Sequence, residues 1–121
     1  MYKDFDSNYS SRNLLELIRE GEHENQDFKY KISDSRKIAR TISAFSNTSG
    51  GRLLVGVRDN GVVAGVKDED DIYMIENATQ IFLSPSVYPE ILAHNVDGKV
   101  VWESIFQKGV VSPTRSKNWT P

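Results

Sequence analysis

Phe28, Tyr30 and Ile32 alternate with Lys29 and Lys31, the period-two signature of a strand with one buried face and one solvated face. Two lysines are thereby predicted on its exposed side. Behind Asp34 or Ser35, either a good N-cap, Ile38, Ile42 and Phe45 recur at helical spacing, and Asn47-Thr48-Ser49-Gly50-Gly51 ends the helix. At about 100° per residue, Arg36, Arg40, Ser43 and Asn47 form a narrow stripe opposite those apolar positions, either solvated or bound. Leu53, Leu54, Val55 and Val57 then read as a central strand buried on both faces. Asp59-Asn60-Gly61 is turn chemistry, and Val62, Val63 and Val66 beyond it predict the second arm of a hairpin.

Three further patterns complete the chain. Leu14, Leu15, Leu17 and Ile18 predict a first helix, started by Ser10 or Ser11 and closed by Gly21. A third helix is expected over 68–83, with Ile72, Ile75, Ala78 and Phe82 inward and Pro85 as the stop. Asp68, Glu69, Asp70 and Asp71 suit the positive end of its dipole, and no metal-ligand spacing accompanies them. Segments 90–95 and 99–106, joined by Val96-Asp97-Gly98, read as a second hairpin. Residues 107–121 lack periodicity and contain two prolines, so an irregular tail, like the end of a truncated longer chain, is expected. The sum is one α+β domain over 1–121, cored at about 14–106, with a small mixed sheet of about five strands packed with three helices.

Composition narrows the function classes. With 121 residues, 38% hydrophobic and 26% charged, the chain has the balance of a folded globular domain. No apolar run approaches a membrane span and the first residues are polar, so a cytoplasmic location is expected. The absence of cysteine removes disulfide, zinc-thiolate and thiol-nucleophile chemistry. A net charge of -2 and a pI near 5.7 argue against a strong, sequence-blind polyanion binder. Any nucleic-acid surface must be local.

Two constellations remain. Lys29, Lys31, Arg36, Lys37, Arg40, Arg52 and Arg58 would form one positive patch if the first strand packs beside the second helix, with Ser43 and Asn47 adding hydrogen bonds to phosphate or sugar. The alternative is a solvated face paired with Glu22, Glu24, Asp27 and Asp34. Glu22, Asp27 and Asp59 are the second constellation: converging, they would hold a divalent cation for phosphodiester hydrolysis, or they pair with Lys29 and Arg58. Gly50, Gly51 and Gly56 flank a strand instead of opening a helix, which excludes a phosphate loop. His23 and His94 have no metal spacing and read as surface residues, and Ser46, Thr48 and Ser49 read as helix-end polar groups.

The run 22–29 (EHENQDFK), the helix end 42–51 (ISAFSNTSGG) and the turn 54–61 (LVGVRDNG), with Val63 and Gly65, resemble the Schlafen AlbA domain over 14–106. The resemblance implies an α/β DNA-binding module of bacterial proteins labelled transcriptional regulators, without chemistry or cofactor of its own. Under that reading the basic patch supplies the nucleic-acid contacts, with Lys29, Lys31, Arg36, Lys37, Arg40, Asn47 and Arg58 as the expected set. Animal Schlafen relatives cut RNA through three carboxylates; carried over, these fall on Glu22, Asp27 and Asp59, with Mg or Mn as the cation of that alternative. Asp27 stands where the pattern more often has Glu, and its reach is a methylene shorter. A third alternative is an interaction domain whose partner is a second copy of the chain.

Overall fold

The structure is a computed structural model that describes residues 2–3 and 7–114, with side chains from Asn13 onward. Local signals set most of its elements. Asp34 caps α2 (Ser35–Ser46) by accepting the Arg36 and Lys37 N–H groups on Oδ1, and Asn47 closes the helix. Gly21, at φ 78°, ends α1 (Ser7–Glu20), which begins earlier than the serines at 10 and 11 suggest. Asp97 and Gly98, at φ 52° and 82°, make the two-residue turn between β5 (Glu90–Val96) and β6 (Lys99–Phe106).

These pieces assemble with β1 (Tyr2–Lys3), β2 (Gln26–Lys29) and β3 (Gly51–Val55) into a five-stranded mixed sheet of order β1-β5-β6-β3-β2. Strands β2 and β3 are parallel and joined by α2, whereas β3–β6 and β5–β6 are antiparallel. Alternation along each strand gives the sheet two cores. Leu53, Val55 and Trp102 face Ile38, Ile42 and Phe45 of α2 and Ile75 of α3 (Asp70–Gln80). Phe28, Leu54 and Val101 face Leu14 and Ile18 of α1. The three helices and the mixed sheet match the expected α+β class. Among the described residues no helix is long and apolar enough to cross a membrane.

Four expectations need correction. The 53–57 and 62–66 segments do not form a hairpin: beyond the turn a single Val57–Val63 bridge remains. Gly56, at φ 101°, turns the chain out of the sheet, and its carbonyl accepts from Ala64 and Gly65. That diversion leaves the free side of β3 to β6. Helix α3 stops at Gln80 rather than 83, because Leu83 leaves it to enter β4 (Leu83–Ser84). The segment after Lys108 is not irregular throughout: β7 (Ser112–Pro113) pairs antiparallel with β4, and Val111 is buried. Residues 115–121 of the expected tail lie outside the described ones. Finally, β2 ends at Lys29, and that lysine is half-buried rather than exposed.

Candidate nucleic-acid interface

The basic residues divide by whether an acid neutralises them. Lys29 is 3.4 Å from the Asp27 carboxylate, on the same strand. Arg52 points into the sheet, where Nη1 donates to Gln26 Oε1 at 3.2 Å and the Nε group stands 3.4 Å from Glu103 without hydrogen-bond alignment. Neither offers a free charge. Lys31, Arg36, Lys37, Arg40 and Arg58 are exposed, and none is in an ion pair among the described residues. Arg36, Lys37 and Arg40 lie on one side of α2 by helical geometry. Lys31 and Arg58 follow the carboxyl ends of the parallel strands β2 and β3, the end from which α2 starts. Ligand sites of open α/β sheets collect at such ends. The Arg58 guanidinium lies 4.1 Å from the Tyr30 ring centroid, and Lys67 Nζ stands 5.9 Å from the same ring, so one aromatic carries two cations.

The stripe Arg36, Arg40, Ser43 and Asn47 is half covered by the chain itself. Asn47 Nδ2 donates to the Val111 carbonyl, Val111 N–H donates back to Asn47 Oδ1 at 3.1 Å, and Ser43 Oγ donates to the same carbonyl at 2.8 Å. Asn47 is thus a clasp for the 109–114 segment, and its amide is not turned toward a ligand. Gly109 N–H extends the clasp by donating to the Ser46 carbonyl at 2.8 Å. The segment so held leads into β7, where Thr114 N–H donates to the Phe82 carbonyl at 2.9 Å. The result is a pocket of about 150 Å³ over the uncovered half of the stripe. Ala39, Phe82 and Pro113 supply its apolar surface, and Asp34, Arg36 and Arg40 its charged groups. The Arg36 guanidinium lies 5.2 Å from the Phe82 ring centroid.

The three carboxylates gather at the outer edge of β2. Glu22 accepts the Phe28 N–H at 3.1 Å. The Glu22 pKa is raised, first by a hydrogen bond to Asp27, then by desolvation, with the charges of Asp27 and Asp59 adding repulsion; the Phe28 N–H acts in the opposite direction. The acids are therefore neighbours, but among the described residues no three His, Asp or Glu side chains stand around a common metal position. Because the folded chain keeps the Glu22 proton to higher pH than the unfolded chain does, its stabilising effect is complete below the unfolded value and disappears as pH rises through the folded one. In an NMR titration the Glu22 carboxyl is expected to titrate above an ordinary glutamate. Asp27→Asn should lower that midpoint, and an unchanged midpoint would show that Asp27 does not hold the proton.

A buried polar row escaped the reading of the sequence. Gln26 (0% exposed), Arg52, Glu103 (6%) and His94 (4%) cross four strands on the α1 face of the sheet. His94 Nε2 meets Glu103 Oε1 at 2.8 Å, so His94 is a core residue and not a surface one. Gln26 Nε2 donates to the Leu17 and Gly21 carbonyls at 2.6 and 2.8 Å, tying the end of α1 to the sheet. A signal existed. With Asp97-Gly98 as the turn, His94 pairs with Val101 and Leu92 with Glu103, which puts His94 and Glu103 diagonal on one face. His23 is exposed as expected, 3.1 Å from Glu20. Ser46 is buried. Asp71, in the acidic group at the start of α3, accepts the Ile32 N–H at 3.0 Å and holds the loop between β2 and α2.

Comparison with known proteins agrees with this architecture. The family model for Schlafen, AlbA_2 matches residues 22–119. Among solved structures, the N-terminal domain of a Nitrosomonas europaea protein, named as related to the ATP-dependent DNA helicase RecG, superposes with a TM-score of 0.65 at 18% identity. The match covers 90% of this chain and 83% of that one. The DIP2311 protein of Corynebacterium diphtheriae superposes with a TM-score of 0.58 at 19% identity, over 87% of this chain and 24% of its own. At these identities the two structures share the fold.

Proposed function

Because the chain belongs to the Schlafen, AlbA_2 family, we propose that it is a nucleic-acid-binding module, with DNA as the first ligand to test and no chemistry of its own. The observation that carries this reading is the set of uncompensated cations around the start of α2. Lys31, Lys37 and Arg58 meet phosphates, while Arg36 and Arg40 stand over the pocket beside them. Lys29 and Asn47 drop out of the contact set, the first paired with Asp27 and the second holding Val111. The name of the Nitrosomonas relative points the same way. An acidic chain with a local basic surface binds modestly and with strong salt dependence, since each phosphate contact releases counterions.

The experiment is an anisotropy titration of a labelled single-stranded oligonucleotide over a range of salt. Each contact to single-stranded nucleic acid contributes about 0.7 to the slope of log K against log salt, so Lys31→Ala with Lys37→Ala should make the slope shallower by about 1.4. A slope unchanged by the double substitution, or no binding at low salt, would overturn the reading.

A further inference from the structure

We propose that the pocket between α2 and the β4–β7 pair receives one unstacked guanine base. This deepens the nucleic-acid reading and rests on it. Size is the first argument. Ordinary small-molecule sites begin at roughly 300 Å³, and a pocket of about 150 Å³ takes a single ring system rather than a whole nucleotide or a duplex edge. Bases that enter such sites belong to single strands, where they stack on aromatic rings or guanidinium planes and present their edges.

The lining supplies those functions separately. Arg36, already lying over Phe82, offers a guanidinium plane for stacking, with Ala39 and Pro113 completing the apolar walls. Arg40 makes no protein hydrogen bond or ion pair among the described residues, which leaves its donors for a ligand. Both N-cap bonds of Asp34 go to Oδ1, which leaves Oδ2 to accept. A phosphate alone would meet that carboxylate unfavourably. Guanine suits the mixed set: its O6 and N7 accept from an arginine, and its N1–H and N2–H₂ donate to a carboxylate. Adenine lacks the second donor beside its acceptors, and the pyrimidines offer less ring to stack.

Asp34→Asn tests this without unfolding the helix. Asparagine caps as well as aspartate and keeps one acceptor for the Arg36 and Lys37 N–H groups, while it puts donors where guanine also donates. The ¹⁵N-labelled full chain is titrated with each of the four free ribonucleosides, and the Ala39, Phe82 and Thr114 amides are followed. Guanosine should bind about tenfold more tightly than adenosine, cytidine or uridine, the lower range of one good base contact, and Asp34→Asn and Arg40→Ala should each remove that preference. Equal shifts with all four nucleosides, none with guanosine, or a preference that survives both substitutions would overturn the guanine pocket. Salt-dependent binding of an oligothymidine through Lys31 and Lys37 would still stand in that case. Loss of oligonucleotide binding altogether is a separate failure, that of the nucleic-acid reading.

Discussion

Replacing Glu103 by alanine is expected to destabilise the fold by about 3 kcal/mol, the lower end of the cost of breaking a buried charge network, seen as a fall in the urea midpoint at unchanged slope. The size follows from what the carboxylate leaves behind. Glu103 lies in the central strand β6, opposite Leu54 on one side and Leu92 on the other, and its two oxygens face Arg52 and His94. Without it His94 Nε2 has no acceptor, and His94 Nδ1 has no hydrogen bond among the described residues even in the intact protein. Arg52, about a third exposed, can turn its charge to water, which keeps the loss at the low end. Glu103→Gln retains the volume and one acceptor and should cost only about 1 kcal/mol, the worth of an ordinary hydrogen bond. If the two substitutions cost the same, the volume and the acceptor that glutamine retains contribute nothing, and the charge of Glu103 carries the whole effect.

Asn47→Ala should cost about 2 kcal/mol, because it removes both halves of the clasp and leaves the buried Val111 N–H without its acceptor. The more informative readout is local. Hydrogen exchange at Val111 and Thr114 should accelerate while Leu54 and Val101, in the sheet, stay protected. Because Pro113 forms one wall of the guanine pocket, the same variant should weaken guanosine binding without altering Lys31 or Lys37. Asn47→Asp is a sharper test, since it keeps an acceptor for the Val111 N–H but turns a carboxylate toward the Val111 carbonyl. Unchanged exchange at Val111 in both variants would mean that the 109–114 segment is held by Ser43 and the β4–β7 pairing instead.

Periodicity and turn chemistry made much of the fold legible. The three helices, the strand at Phe28, the central strand at Leu53 and the Asp97-Gly98 hairpin are each written in local spacing, because burial of one face imposes a period of 2 or 3.6 on the chain itself. The turn at Asp59-Asn60-Gly61 was equally legible, yet its second arm was not a strand. Val62, Val63 and Val66 have strand composition, but strand formation needs a free neighbour, and β6 occupies that side of β3. The short β4–β7 pair carried too few residues for any period.

The candidate interface divides along the same line. Local sequence placed Arg36, Lys37 and Arg40 on one side of a helix and Asp34 at its cap, since both are set by the helix that contains them. Only the tertiary structure decided which charges are free. Lys29 and Arg52 are neutralised by partners that strand pairing or pleat brings near, and Asn47 is engaged by a residue 64 positions away. A charge in sequence has no address until its neighbours are fixed, because Coulomb and hydrogen-bond partners are chosen by distance in space. What the chain determined by itself is its elements and their polar faces. What folding decided is that one half of the α2 stripe is covered by the returning segment and the other half is left as a charged pocket.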